Sequence, residues 1–291
     1  MMPLLKLLRP HQWIKNGFVF LGLLFGHAWT DPAKVLLAFE AFAAFCLISS
    51  AVYVMNDLVD RKQDRAHPRK RDRPLASGKV SVGAALALMA ICGASGLALG
   101  FFGGGALPGV FIGYVLLNIG YSFGLKHVVI LDVFLIAAGF MLRILAGTLG
   151  IGIAPSQWLL LTGLLLTLFL GFAKRRAELG ALQEDSPSHR RVLEHYSAPL
   201  LDQMITVAAG GVLVAYSLYT LAPETVRLHG TDKLIYTVPF VLYGMFRYLF
   251  LLHRRGGGGD PALEVVRDPH LVAAGLGWLL LTLWLLSQRA L

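Results

Sequence analysis

Charge is what this sequence has least of. Only 15% of its 291 residues are Asp, Glu, Lys or Arg, where soluble domains carry about 25%. So little charge cannot cover a water-facing surface, which excludes a soluble enzyme and a disordered tail. Cysteine is nearly absent. Cys46 and Cys92 each lie inside apolar runs and read as small buried hydrophobes, so a disulfide scaffold is excluded as well. Acidic residues are also few, 17 against 26 Lys and Arg, for a net charge of +9. What fills the chain instead is apolar: 56% of residues are hydrophobic and the mean hydropathy is +0.65.

A helix needs about 20 mainly apolar residues to cross a bilayer. Nine runs qualify, at about 13–29, 34–56, 80–100, 106–124, 128–150, 157–175, 201–221, 234–252 and 270–287. The first is the shortest and most polar, with Lys15 and Asn16 near its start, which allows it to be partly interfacial. None alternates as a barrel strand does, so the expected fold is an all-α integral membrane bundle of nine helices around a cytoplasmic-side central cavity. One domain spans residues 1–291, with loops at about 57–79, 176–200 and 253–269. The first apolar run continues into the bundle without a small-residue cleavage pattern, unlike a removable signal peptide.

Of the 26 Lys and Arg residues, 21 fall at the N-terminus, in the even-numbered loops or at their margins. The positive-inside rule therefore places these in the cytoplasm, in a multi-pass protein of the cytoplasmic (inner) membrane with its C-terminus outside. Orientation accounts for much of the charge excess. It does not account for the acidic residues that crowd into the same loops.

The second span ends in Asn56-Asp57-Leu58-Val59-Asp60-Arg61-Lys62-Gln63-Asp64. At 100° per helical residue, Asn56, Asp57, Asp60 and Asp64 share an arc of about 100°. Three carboxylates on one face repel one another. A divalent cation relieves the repulsion, and hard oxygen ligands suit Mg2+, which shares its sphere with substrate phosphates. The competing reading is a solvated helix end whose carboxylates pair with Arg61 and Arg65. Arg65, Arg69, Lys70, Arg71 and Arg73 follow, with Pro68 and Pro74 stiffening the turn. Cations beside carboxylates fit a metal and the anion it escorts, although a basic run also suits anionic lipid.

These residues resemble the UbiA family of intramembrane prenyltransferases. Asn56, Asp57, Asp60 and Asp64 look like its first Asp-rich motif, Arg73-Pro74-Leu75-Ala76-Ser77-Gly78 like the segment that follows, and Tyr121-Ser122-x-x-Leu125-Lys126 like its tyrosine–lysine motif. The family's second Asp-rich motif is replaced here by Lys174-Arg175-Arg176-Ala177-Glu178. A basic cluster binds anionic oxygen directly. The segments Arg9–Asn16, Ala173–Leu179, Arg191–Ser197 and Phe246–Leu249, with the glycines Gly256 to Gly259, are similar to one branch of the family. Members of that branch move a 5-phosphoribosyl group from 5-phosphoribosyl 1-diphosphate to decaprenyl phosphate, in making a cell-wall arabinose donor.

The resemblance implies a Mg2+-dependent glycosyl transfer that releases diphosphate. Asp57, Asp60 and Asp64 would hold the metal, with Asp57, Asp60 and Lys126 as the catalytic set. Asn56 would orient the diphosphate, and Tyr121 would contact it or the sugar. Arg73, Lys174, Arg175 and Arg247 would take the remaining phosphates, and Lys15, beside Asn16, the acceptor head group. The expected partners are 5-phosphoribosyl 1-diphosphate, a polyprenyl phosphate and the membrane, and not nucleic acid. Small residues in spans 3 and 5 permit close helix contacts, compatible with a homo-oligomer.

Other polar residues leave alternatives open. Arg143 lies deep in the fifth span, where a charge is functional by default, yet Glu40 at similar depth allows a structural ion pair. Asp132 shares a helical face with Arg143 and could brace Lys126 or join the site. His195 and Asp202 share a face, Gly103 to Gly105 read as an outer hinge, and Gly256 to Gly259 give weak support to a nucleotide loop. Two other functions compete. An aromatic-acceptor transferase using a polyprenyl diphosphate donor would want Asp at Lys174–Glu178. An anionic metabolite transporter would want polar residues at the midplane and repeated halves.

Overall fold

A computed structural model describes residues 3–66, 70–182, 191–254 and 266–288. Gly256 to Gly259 and residues 67–69, with Pro68 and Arg69, lie outside them. All regular structure among the described residues is helical. Seven helices are long and apolar enough to cross a membrane, namely Pro32–Val59, Val82–Gly103, Leu131–Ile151, Gln157–Gly180, Ala198–Leu221, Lys233–Arg254 and Pro269–Ser287.

The α-helices in chain order are α1 (Pro3–Leu8), α2 (Leu21–Phe25), α3 (Pro32–Val59), α4 (Arg61–Ala66), α5 (Val82–Gly103), α6 (Leu107–Ser122) and α7 (Leu131–Ala146). They continue with α8 (Gln157–Leu182), α9 (Ala198–Leu221), α10 (Pro223–His229), α11 (Val238–Arg254) and α12 (Pro269–Ser287). Local chemistry sets several starts. Asp31 accepts from the Ala33 and Lys34 N–H groups with Pro32 in the first turn, and Ser81, Ser197 and Asp268 cap α5, α9 and α12 in the same way.

Two of the nine expected crossings differ in form. The fourth is the 16-residue helix α6. The first is a 3-10 helix, Pro10–Phe20, running into the five-residue α2. Its polar side chains explain the departure. Trp13 Nε1 donates to Ser50 Oγ at 3.0 Å, and buried Asn16 donates to Cys46 Sγ at 3.3 Å and Ser49 Oγ at 3.4 Å. These anchors on α3 replace the all-apolar face of a simple span.

The chain divides into two compact units, Met1–Lys126 with Gly139–Pro155, and His127–Ala138 with Ser156–Leu291. In the first, Phe45, Ile48 and Val52 of α3 pack with Leu107, Phe111 and Tyr114 of α6. Gly96 lets α5 lie against α3, where a Cβ would sit 3.0 Å from the Ala44 carbonyl oxygen. The small residues of the third span thus serve a contact inside the chain. Gly22 and Gly147 meet still more closely, since a Cβ on Gly22 would overlap the Gly147 carbonyl and one on Gly147 the Val19 carbonyl. The core of the second unit joins Phe169 and Phe172 of α8, Leu201 and Ile205 of α9 and Tyr248 of α11.

Candidate active site

The Asp-rich segment stands at the end of α3. The helix ends at Val59, Asp60 caps it, and α4 resumes at Arg61. The backbone bonds Asp60 N–H to Asn56 and Asp64 N–H to Asp60 carry across this break. The four side chains therefore stay near one another without forming the single straight helix face the spacing predicts. Arg73 bridges two of them, with Nη1 3.1 Å from Asp57 Oδ1 and 2.8 Å from Asp64 Oδ2. Arg9 also binds Asp57 Oδ1, and Lys126 Nζ lies 3.1 Å from Asp60 Oδ1. Asn56 Oδ1 accepts from the Ser122 hydroxyl.

Arg61 and Arg65 are not the carboxylates' partners. Their Nε groups donate to the Leu75 and Ala76 carbonyls. Leu75 is fully buried with Leu7, Val54, Val80 and Ala85. The segment from Arg73 to Gly78 is thus a packed cap, tightened by Ser77 N–H to Arg73 and Val80 N–H to Pro74, and it delivers Arg73 to the carboxylates.

Sequence reasoning missed two members of this cluster. Ser122 stood inside the tyrosine–lysine motif without a role. Arg9 precedes Pro10 in a left-handed conformation, φ 50°, with its guanidinium 5.2 Å from the Tyr53 ring centre. Such a backbone is uncommon for a non-glycine residue. Neither signal is visible without the fold. Tyr121 neighbours Ser122 at the end of α6, and Lys15 is half-buried on the 3-10 segment.

Two of the cations expected of the second unit, Arg175 and Arg247, have carboxylate partners. Arg175 is fully buried, its Nε 2.6 Å from Asp132 Oδ2 and Nη1 bound to Glu178. Asp132 also accepts from the Tyr196 hydroxyl at 2.8 Å, so it braces Arg175 and Tyr196. Tyr196 in turn accepts from the Ile130 N–H at 2.6 Å. Burial, opposed by that N–H, pushes the Tyr196 phenol well above its ordinary range, so it stays protonated and donates. Ile130 has φ 68°, an outlier for a β-branched residue. Arg176 pairs with Asp202 at 2.9 Å, and Arg247 with Asp268 at 2.8 Å. Lys174 is half-buried on α8, two turns short of the helix end at Leu182. Arg175 and Arg247, both expected at phosphate, are thus each ion-paired with a carboxylate. His195 is exposed and shares no bond with Asp202, whose second neighbour is His253 at 3.6 Å.

The Arg143–Glu40 ion pair, one of the two alternatives for Arg143, does not form among the described residues. Arg143 Nε donates to Asn16 Oδ1 at 2.8 Å, and its Nη groups donate to the Gly139 carbonyl and Tyr114 hydroxyl. Glu40 lies beside Gly103. Asn16, expected at the substrate, is wholly buried as a partner of Arg143 and α3.

No group of three or more acidic, His or Cys residues is preassembled for a metal among the described residues. The donor set nonetheless fits Mg2+, which is commonly held by one or two carboxylates plus substrate phosphate. Asp57 Oδ1 and Asp64 Oδ2 both converge on one cationic atom, Arg73 Nη1.

The model of the UbiA prenyltransferase family matches residues 17–263. A Corynebacterium glutamicum protein named decaprenyl-phosphate phosphoribosyltransferase is 35% identical, over 94% of this chain and 84% of its own. The Mycolicibacterium smegmatis protein of the same name is 32% identical, over 95% and 90%. A UbiA homolog from Archaeoglobus fulgidus, solved with GPP and Mg2+ bound, superposes with a TM-score of 0.72 at 18% identity, covering 99% of this chain and 100% of that one. The fold, the Asp57–Asp64 cluster and the sequence match agree, and the chain belongs to the UbiA prenyltransferase family.

Proposed function

We propose that this protein transfers a 5-phosphoribosyl group from 5-phosphoribosyl 1-diphosphate to a polyprenyl phosphate, with release of diphosphate. The observation that carries the reading is the convergence of Asp57 and Asp64 on Arg73, with Arg9 and Lys126 on the same carboxylates. That cluster offers oxygen ligands to a metal and cations to the diphosphate it escorts. The relatives named decaprenyl-phosphate phosphoribosyltransferase support the substrates. So does the basic Lys174–Arg176 run where an aromatic-acceptor enzyme would keep a second acidic motif.

A phosphate oxygen of the acceptor attacks the anomeric carbon, and the bond from that carbon to the diphosphate breaks with its electron pair leaving on diphosphate. The acceptor is ionised near neutral pH, so no general base is required. Mg2+ held by Asp57, Asp60 and Asp64 would neutralise charge on the departing diphosphate. Arg73, Arg9 and Lys126 are gathered at one place by the carboxylates, and on binding they would turn from these partners to the diphosphate oxygens. Asn56, fixed by Ser122, would orient the diphosphate, Tyr121 would contact the diphosphate or the sugar, and Lys15 would take the acceptor head group.

The charge distribution supports a nine-crossing domain of the cytoplasmic membrane, with this cluster and its cavity on the cytoplasmic side. The test is transfer by purified protein from radiolabelled 5-phosphoribosyl 1-diphosphate to polyprenyl phosphates of several lengths, with Mg2+ or with chelator. A Mg2+-dependent labelled lipid is expected. No labelled lipid at any chain length overturns the reading, and prenylation of an aromatic acceptor from a polyprenyl diphosphate would replace it.

A further inference from the structure

Six charged residues are buried among those described: Asp57, Asp64, Asp132, Arg143, Arg175 and Asp268. Five have an opposite charge within ion-pair distance. Arg143 is the exception. Its acceptors are all neutral, namely the Asn16 amide, the Gly139 carbonyl and the Tyr114 hydroxyl. The rings of Phe45, Tyr114 and Phe140 surround it, with centres 4.9 to 5.3 Å from the guanidinium carbon. A guanidinium has five N–H donors, so two remain for a ligand. Rings and dipoles soften an unpaired charge in a membrane span without cancelling it. A purely structural core would be at least as well served by an apolar side chain.

The position is defined relative to the carboxylates. Tyr114 and Ser122 lie eight residues apart on α6, and Ser49 and Asn56 seven apart on α3. At about 1.5 Å per residue, Arg143 and Asn16 stand roughly 11 to 12 Å along the helices from the Asn56–Ser122 bond. The reaction proposed above brings a diphosphate and two phosphate monoesters, the donor's 5-phosphate and the acceptor's phosphate. The Asp57–Asp64 cluster suits the diphosphate. Arg175 and Arg247, two of the residues expected to take further phosphate, are held by carboxylates.

We propose that Arg143, oriented by Asn16, is a recognition site for a phosphate monoester, with the ligand supplying the missing negative charge through paired N–H···O bonds. The proposal rests on the phosphoribosyl reading of the function. Ligand-free Arg143 is a cost to stability that the bound phosphate repays.

The test uses the full-length protein in detergent with Arg143→Met and Arg143→Lys. Each is assayed for transfer, for separate KM values of the two substrates, and for thermal stabilisation by ribose 5-phosphate, by polyprenyl phosphate and by Mg2+ diphosphate. Arg143→Met is expected to unfold no lower than wild type without ligand and to keep its response to Mg2+ diphosphate. It should raise one KM by about tenfold or more, the loss of a charged hydrogen bond, and lose stabilisation by the matching monoester. A change confined to ribose 5-phosphate assigns the donor, and one confined to polyprenyl phosphate assigns the acceptor. Arg143→Lys restores part of that response. Active Arg143→Met with both KM values and both stabilisations unchanged overturns this inference alone, as does a lowered ligand-free midpoint with unchanged stabilisation. Wild-type protein that transfers nothing and responds to neither monoester overturns the function with it.

Discussion

Lys126 Nζ lies 3.1 Å from Asp60 Oδ1, joining across 66 residues the two motifs assigned opposite charges in one reaction. With Arg9 and Arg73 on Asp57, each carboxylate of the cluster holds a cation in place. Substrate binding must exchange these pairs for contacts to metal and phosphate.

Asp57→Ala and Asp60→Ala are expected to lower transfer by about a hundredfold or more, as loss of preorganised electrostatics at a reacting centre does. Both should remain monodisperse in detergent. Retained turnover in both variants would remove the metal assignment.

Arg73→Gln separates binding from folding. It should raise the KM for 5-phosphoribosyl 1-diphosphate by about tenfold, through loss of a charged hydrogen bond, with little change for the lipid acceptor. Steady-state kinetics with each substrate varied in turn checks this.

The buried Asp132–Arg175–Tyr196 network is expected to act on stability. Asp132→Ala leaves Arg175 charged and buried and should cost about 3 to 5 kcal/mol. Tyr196→Phe removes the bonds to Asp132 and the strained Ile130 and should cost about 1 to 3 kcal/mol. Thermal unfolding in detergent gives the order, and equal midpoints for both variants would contradict it.

Acid stability should report Asp268. The Arg247 hydrogen bond, helped by the N–H groups that Asp268 caps, pulls its carboxyl from the ordinary 3.8 to about 2. Because the folded value lies below the unfolded one, its stabilisation is full above about pH 4 and lost as pH falls through about 2. The midpoint gap between wild type and Arg247→Met should be widest above about pH 4 and close toward about pH 2.

Gly147→Ala should unfold the protein or lower its stability by about 1 to 3 kcal/mol or more, because the new methyl meets the Val19 backbone. Size-exclusion elution of the fluorescent fusion reads this directly.

Much of the architecture was legible along the chain. Hydropathy is a local property, so the seven long helices and α6 fall where apolar runs predict them. The first run already stood apart as the shortest and most polar, and its 3-10 form follows from Trp13 and Asn16, whose partners lie on α3 and α7. The carboxylate cluster was legible because its spacing is local, but its break at Asp60 and its partners were not. Arg61 and Arg65 looked like natural counter-ions and turned instead to the Leu75 and Ala76 carbonyls of the folded-back cap.

The sequence by itself determined the solvent, the helical class and the residues available for phosphate and metal chemistry, since composition and short-range periodicity encode these. Only the tertiary structure decided which charges meet. Arg9 reaches Asp57 across 48 residues, Arg175 reaches Asp132 across 43 and Arg143 reaches Asn16 across 127. Such pairings depend on how helices pack, and on the cost of burying a charge without a partner, neither of which a linear pattern records.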